Sequence, residues 1–394
     1  MPVVTTADRA PGPYRLGEEH EMLRDAVRVL ADERVAPRAA EIDKIGEFPE
    51  DMRRLLADHD ILALPFPAEH GGLGGELLSL CLAVEQLSRA CATTGLILAV
   101  QELGSLPITL AGSDDQKGRW FPKLASGEQL IAFALTEPEA GSDAAAARTT
   151  ATKDGDEYVI DGSKRFISQG SVADLLVVFA VTDPEAPRHK RLSAFVVEVP
   201  TKGFEVTRVE HKMGIRGSPT AELAFSKMRV PVANRLGEEG DGWSIAMRTL
   251  DRSRPGIAAQ AVGIAQGALE VATAYARDRK QFGQRIGDFQ QIGAMLADMD
   301  AQTEAARQLL YKACVEIDAG APDASRWSAM CKLVAGDTAM RVTTDAVQVL
   351  GGYGYIDEFP VERMMRDAKI TQLYEGTQQI QRLVIARSLL GKAD

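Results

Sequence analysis

The hydrophobic period of this chain changes twice, and that change limits what it can fold into. From about residue 18 to residue 127, apolar residues recur at helical spacing. Leu23, Val27 and Leu30 begin the pattern, and residues 50–61 and 76–91 continue it. Five short runs then follow: YVIDG from Tyr158, LLVVFAV from Leu175, LSAFVVEV from Leu192, FEVTRV from Phe204 and AELAF from Ala221. They are rich in β-branched and aromatic residues and are separated by Gly, Pro and Asp, the pattern of short strands. After GEEGDGW the helical period returns. Ile257, Ala261, Ile264, Ala268 and Tyr275 share one face of a first helix. Ile292, Met295, Met299, Ala306, Leu309 and Ala313 mark a second, Met330, Leu333, Met340, Val347 and Leu350 a third, and Ile380, Leu383 and Val384 a fourth.

This order predicts an α+β multidomain chain. A helical domain spans residues 1–128, a β domain 129–236 and a helical bundle 237–394. No helical pattern interleaves the strands, which argues against a doubly wound parallel sheet. Pro255, a favoured first-turn residue, places the start of the first bundle helix. Gly263 and Gly267 form a small-residue stripe that would let another helix approach closely. The glycine cluster at 71–75 follows no strand pattern and reads as a loop. The first fifteen or so residues look loosely ordered.

The net charge of −11 argues against general nucleic-acid binding, which relies on Lys and Arg at phosphates. Cys81, Cys91, Cys314 and Cys331 form no CxxC and have no His at ligand spacing. No metal site is expected, and the thiols read as reduced and mostly buried. The longest uninterrupted apolar runs are too short to span a bilayer. The N-terminus shows no apolar signal region, so a cytoplasmic location is expected.

Several stretches carry polar groups that a plain scaffold does not need. FALTEPEAGSD, from Phe133, offers hydroxyls and backbone N–H groups between two domains. KRFISQG, from Lys164, sets an aromatic, an aliphatic and a hydroxyl residue before a glycine. LDRSRPG, from Leu250, places charges ahead of the predicted bundle helix, where a helix N-terminus binds anions or where charge is simply solvated. ARDRKQFGQRIGDFQ, from Ala276, is a local basic patch in an acidic chain. QVLGGYGY, from Gln348, is glycine-rich, and MRDAKI and LYEGTQQIQR follow it. Alone, Glu375 in YEGT reads equally well as a charge favourable to a helix N-terminus.

Taken in order, these stretches resemble the flavin-dependent acyl-CoA dehydrogenases from about residue 18 to the end. DRKQFG, LADM, QVLGGYGY, MRDAKI and YEGT with QIQR occur at family-like separations. The short- and medium-chain branch is the most similar. The resemblance implies a helical domain, a β-barrel-like middle domain and a four-helix bundle, assembled as a homotetramer that is a dimer of dimers. It implies FAD as cofactor. Phe133, Leu135, Thr136, Ser142, Phe166, Ile167 and Ser168 would lie along its ring. Arg279, Phe282, Gln290, Gln348, Gly351, Gly352, Thr377 and Gln379 would contact the rest, several of them across a subunit boundary. Ser142, Asp251, Arg254, Tyr374 and Gly376 would meet the acyl-CoA. Residues 101–103 would lie near the floor of its pocket.

The activity implied is α,β-dehydrogenation of an acyl-CoA to the trans-2-enoyl-CoA. Glu375 would take the α-proton and a hydride would pass to flavin N5, with electrons going on to an electron-transfer flavoprotein. Some branches place the base in the segment matching LDRSRPG. The matching residue here is Ser253, so Glu375 is the base the resemblance supports. The rivals are an acyl-CoA oxidase-like flavoenzyme that uses O₂, a flavin monooxygenase on the same fold, and a non-catalytic acyl-CoA-binding homologue.

Overall fold

The structure, a computed structural model, describes residues 15–391. The expectations for the extreme N-terminus fall outside them. The first helical part comprises α1 (Glu18–Leu30), α2 (Ala39–Ile45), α3 (Glu50–Asp58), α4 (Leu77–Ala90), α5 (Ala92–Ala111) and α6 (Asp114–Ala125). A capping box starts α6: the Ser113 hydroxyl accepts the Gln116 N–H, and the Gln116 side chain accepts the Ser113 N–H. The glycine cluster at 71–75 is a loop.

The middle part holds β1 (Ile131–Ala134), β2 (Thr150–Asp154), β3 (Glu157–Ser168), β4 (Leu175–Val181), β5 (Leu192–Glu198), β6 (Phe204–Val209), β7 (Thr220–Pro231) and β8 (Arg235–Leu236). They form one eight-stranded sheet in the order β6-β7-β3-β2-β4-β5-β8, with β1 paired to β4. The path ends at β6 and β8. The five apolar runs are β3 to β7; β1, β2 and β8 are too short or too polar to announce themselves. Most pairs are antiparallel, but β1 runs parallel to β4. All seven residues of β4 are buried because the sheet is covered on both faces. Leu175, Val177 and Phe179 pack with Trp120 and Phe121 of α6, while Leu176, Val178 and Ala180 pack with Tyr158 and Phe225. That division is the two-residue period of a strand.

The last part is α7 (Gly242–Asp278), a hairpin of β9 (Lys280–Gln281) and β10 (Gln284–Arg285), α8 (Gln290–Asp318), α9 (Ala324–Leu350), α10 (Val361–Ala368) and α11 (Gln378–Leu390). Here the structure corrects an expectation. Pro255 does not open α7 but lies well inside it, so LDRSRPG is mid-helix and offers no helix N-terminus to an anion. Proline removes one helical hydrogen bond, and burial among α4, α5 and α9 carries the helix through. The small-residue stripe behaves as expected. A Cβ on Gly263 would lie 2.3 Å from the Glu85 carbonyl oxygen, and one on Gly267 would lie 2.4 Å from that of Arg89. In α9 the buried face is made of small residues such as Ala335, Gly336 and Ala339, whereas Met330, Leu333 and Met340 are only half-buried.

Two helices are longer and more apolar than the uninterrupted apolar runs indicate. Helices α5 and α7 are long and apolar enough to span a bilayer by length and composition, but their most apolar windows are 78% and 72% buried inside the protein. All four cysteines are free and buried, and among the described residues no metal-ligating cluster occurs.

Arg366 of α10 fastens the three parts together. It donates to Asp43 on α2 at 2.6 Å and 3.1 Å, to the Met213 carbonyl of the middle part at 3.0 Å, and to Glu362 on its own helix at 2.7 Å.

Candidate active site

A cavity of about 190 Å³ lies where the three parts meet. Leu96, Ala99, Val100 and Leu103 of α5 form one wall. Trp243, Met247, Leu250, Arg254 and Ile257 of α7 form another. Phe133, Leu135, Thr136, Gly141 and Ser142 come from β1 and the loop after it, and Phe166, Ile167 and Ser168 from the end of β3. Tyr374, Glu375, Gly376 and Ile380 close it from the C-terminal turn.

The turn before α11 is unusually constrained. Glu375 has φ 51° and Gly376 has φ 91°, both left-handed. For a residue with a side chain that conformation is costly and persists only where neighbours hold it. Three side chains do so. Arg254 Nε donates to the Glu375 carbonyl at 3.1 Å, and Gln381 Nε2 donates to the carbonyls of Glu375 and Gly376 at 3.1 and 2.8 Å. Lys332 Nζ donates to the Gly376 carbonyl at 2.7 Å. Thr377 then caps α11 by accepting the Ile380 N–H.

The Glu375 side chain points to α7, where Ser253 Oγ donates to Oε2 at 2.6 Å. Burial pushes its carboxyl up to about 7, against the Ser253 hydrogen bond and the Arg254 and Lys332 charges, which favour the carboxylate. Tyr374 also reaches α7, where it donates to Gln260 Oε1, while Gln260 Nε2 donates to the Ala92 carbonyl at 3.0 Å.

The opposite wall is held by a buried ion pair. Lys164 Nζ donates to Glu137 Oε1 at 2.8 Å and to the Leu135 carbonyl at 3.0 Å. The Glu137 carboxylate also accepts the N–H groups of Arg148 and Thr149. Burial works against its charge, yet Lys164 and these N–H groups hold its carboxyl below its ordinary value. Leu135 and Thr136 are thereby fixed at the cavity edge.

Of the residues singled out in the sequence, Phe133, Leu135, Thr136, Ser142, Phe166, Ile167, Ser168, Arg254, Tyr374, Glu375 and Gly376 meet in this one cavity. Asp251 does not line it. It accepts from Arg254 at 2.8 Å and from Ser325 at 3.0 Å, one turn behind the wall. Arg254 is only 4% exposed and is spent on Asp251 and the Glu375 carbonyl, so it braces the turn. Arg279, Gly351 and Gly352 line a second, more open cavity with Tyr353, over which the Arg279 guanidinium stacks at 5.3 Å. Phe282 is 94% exposed at the tip of the β9–β10 hairpin. Gln290, Gln348 and Gln379 are exposed on α8, α9 and α11.

Residues 101–103 separate into three roles. Leu103 lines the cavity. Gln101 ties the chain around β1, donating to the Leu124 and Gln129 carbonyls at 2.9 Å and accepting the Ile131 N–H. Glu102 is 3% exposed, and its Oε2 has no hydrogen-bond partner among the described residues. Burial and then the nearby Glu375 charge raise its carboxyl well above its ordinary value. The folded chain therefore binds a proton there that the unfolded chain releases above its ordinary pKa. Stability contributed at low pH is lost as pH rises above the ordinary carboxyl value toward the raised folded one. Glu102→Gln should raise stability by about 1 kcal/mol at pH 8 and less at pH 5. Thermal unfolding at the two pH values checks this, and an equal shift at both would refute it.

The comparisons with known proteins agree across the chain. Residues 17–128, 132–228 and 240–390 match the models of the N-terminal, middle and C-terminal domains of acyl-CoA dehydrogenase. The chain belongs to the acyl-CoA dehydrogenase family. It is 49% identical over 377 residues to a short-chain-specific acyl-CoA dehydrogenase of Clostridium acetobutylicum, covering 95% of this chain and 98% of that one. It is 50% identical over 376 residues to a cyclohex-1-ene-1-carbonyl-CoA dehydrogenase of Geobacter metallireducens, covering 95% and 99%. Among solved structures, butyryl-CoA dehydrogenase from Megasphaera elsdenii superposes with a TM-score of 0.93 at 43% identity, covering 96% of this chain and all of that one.

Acyl-CoA dehydrogenases are flavoproteins, and the residues present fit a flavin ring. Phe166 is 59% exposed although it lines a cavity, which leaves a flat apolar face for an aromatic ring to cover. Its left-handed φ of 59° turns it out of the β3 ladder, and hydroxyls of Thr136 and Ser168 share the same rim.

Sequence reasoning missed Lys332, Gln381 and the role of Ser253. A signal for the first was available: Lys332 is the one large charged residue on the small-residue stripe of α9.

Proposed function

We propose that this acyl-CoA dehydrogenase removes the α and β hydrogens of a short- to medium-chain acyl-CoA, giving the trans-2-enoyl-CoA. What carries the proposal is Glu375, a carboxylate on an otherwise apolar wall with its proton affinity raised to about 7. The α-proton of a thioester is only weakly acidic, so a base needs raised basicity and a fixed position. Desolvation supplies the first, and Ser253 with the braced turn supplies the second. The backbone N–H of Glu375 is the donor proposed for the developing enolate oxygen. Ser142 and Gly376 line the path proposed for the acyl-CoA, beside Tyr374.

Phe133, Leu135, Thr136, Ser142, Phe166, Ile167 and Ser168 would hold the ring of FAD. Arg279, Phe282, Gln290, Gln348, Gly351, Gly352, Thr377 and Gln379 would hold its remainder, several of them from a second copy. Bound there, FAD supplies the acceptor for the β-hydrogen as hydride. The domain bounds proposed are 1–128, 129–236 and 237–394. A cytoplasmic homotetramer is the assembly proposed, and exposed Phe282, Leu389 and Leu390 offer apolar surface for another copy. Asp251 and Arg254 enter this proposal as braces of the base turn.

The test is anaerobic addition of acyl-CoAs, butyryl-CoA and cyclohex-1-ene-1-carbonyl-CoA among them, while the flavin band is followed. Bleaching by a short straight chain supports the proposal; bleaching by the cyclic thioester alone would replace its substrate. Electron-transfer flavoprotein should reoxidise the product, and stoichiometric hydrogen peroxide in air would move the assignment to an oxidase.

The pH dependence has a definite sign. Only the carboxylate form of Glu375 accepts a proton, and its value is about 7. Single-turnover bleaching should therefore rise through neutrality and level off above it, with roughly a tenth of the plateau rate at pH 6. A rate that is flat or falls between pH 6 and pH 8 would remove Glu375 as base.

A further inference from the structure

Lys332 lies outside the cavity, on the side of the turn away from the proposed substrate. It is fully buried in α9, where a lysine is rarely found unless it is paired. Its ammonium donates to the Gly376 carbonyl at 2.7 Å and to Gln378 Oε1 at 3.3 Å. Gln378 is itself fixed: its Nε2 donates to the Leu333 carbonyl at 2.7 Å and to Asp337 Oδ1 at 3.0 Å. The helix can come this close because residue 336 is glycine; a Cβ there would stand 3.0 Å from Gln378 Nε2 and 3.1 Å from the Thr371 carbonyl oxygen. A buried positive charge is thus aimed at the residue next to the base, with every contact on the backbone or on neutral groups.

We propose that Lys332 is a positioning residue that seats the Glu375–Gly376 turn and, as the cation nearest the turn from α9, holds the base in its carboxylate form between turnovers. The proposal rests on Glu375 being the base.

The charges around this pair come from several elements. Arg254 on α7 reaches the Glu375 carbonyl and is itself paired to Asp251. Glu102 on α5 brings a second carboxyl toward Glu375, with the Arg252–Asp318 pair beyond it. Asp337 on α9 faces Lys332 through Gln378, and Tyr374 precedes the base in the turn. Burial lowers Lys332 to about 7, with Glu375 and Asp337 opposing that fall and Arg254 adding to it. Base and lysine therefore titrate in the same range and share their protons as a pair. With Glu102 neutral, Lys332 and Arg254 are the charges that favour the carboxylate, beside the Ser253 hydrogen bond. Arg254 is neutralised by Asp251, which leaves Lys332 as the adjustable member.

The test uses flavin-loaded enzyme with Lys332→Gln and Lys332→Met. Glutamine keeps a donor for the Gly376 carbonyl but no charge; methionine keeps neither. Two quantities are read against pH. One is the carboxyl infrared band that Glu375→Gln abolishes, which reports the base without turnover. The other is the single-turnover rate of flavin bleaching by butyryl-CoA.

In Lys332→Gln the infrared midpoint and the rising limb of the rate should both move up by about one pH unit. The rate at pH 7 should fall several-fold, while the plateau at high pH and the flavin content stay close to wild type. Lys332→Met should show the same shift with a lower plateau, because the turn is loosened as well. If both midpoints stay at the wild-type value in Lys332→Gln, the proposal is overturned, whatever happens to the stability of Lys332→Met. If no acyl-CoA bleaches the wild-type flavin, the functional reading falls instead, and the infrared titration still decides whether Lys332 governs Glu375.

Discussion

Glu375→Gln should keep its flavin and bleach with acyl-CoA roughly 10²–10⁴-fold more slowly than wild type, the range lost with a general base. Glutamine is nearly isosteric with glutamate and can keep a hydrogen bond to Ser253. The carbonyls of residues 375 and 376 remain held by Arg254, Gln381 and Lys332. What disappears is the proton acceptor. Flavin content and stopped-flow bleaching measured on one preparation separate these effects, and a rate within a few-fold of wild type would end the assignment. Glu375→Asp is informative beside it. It keeps the acid but withdraws it by one methylene from a wall whose geometry is fixed, so it should fall between the two.

Lys164→Met should cost about 3 kcal/mol of stability, the cost of breaking a buried pair. Glu137 would keep two backbone N–H partners but lose its buried cation. The Leu135 carbonyl would lose its donor, so the rim that carries Thr136 should loosen and the enzyme should retain less flavin. Thermal unfolding and flavin content at fixed protein concentration read the two effects. Adding Glu137→Gln should recover part of the stability but not the flavin, because the Leu135 contact stays missing. Full flavin retention in Lys164→Met would refute the link between the ion pair and the rim.

The order of helical, β and helical parts was legible because each part carries its own period over many residues. The strands β3 to β7 were visible as apolar runs, but β8 has only two residues and β2 is mostly solvent-facing. The error at Pro255 has a general cause. A proline at a helical position is a local start signal, and only burial by α4, α5 and α9 decides that the helix continues through it. The same cause moved Asp251 and Arg254 from a helix entrance to a mid-helix brace. On α9 the large apolar residues suggested one face and the small ones form the buried one, since close helix approach favours alanine and glycine over leucine. Glu375 itself stood out as a motif. How far its proton affinity rises did not, because that is set by burial between walls from all three parts, against Ser253, Arg254 and Lys332, which lie far from it in the chain.

The Arg366 clasp has a consequence for how the molecule comes apart. One guanidinium answers to an aspartate from the first helical part, a backbone carbonyl from the sheet and a glutamate from the bundle. The cavity, likewise, takes walls from all three. Releasing any one part leaves this half-buried guanidinium short of a partner and opens the apolar faces of the other two. The three segments of sequence are therefore one cooperative unit, and the catalytic chamber vanishes whole with the first of them to leave.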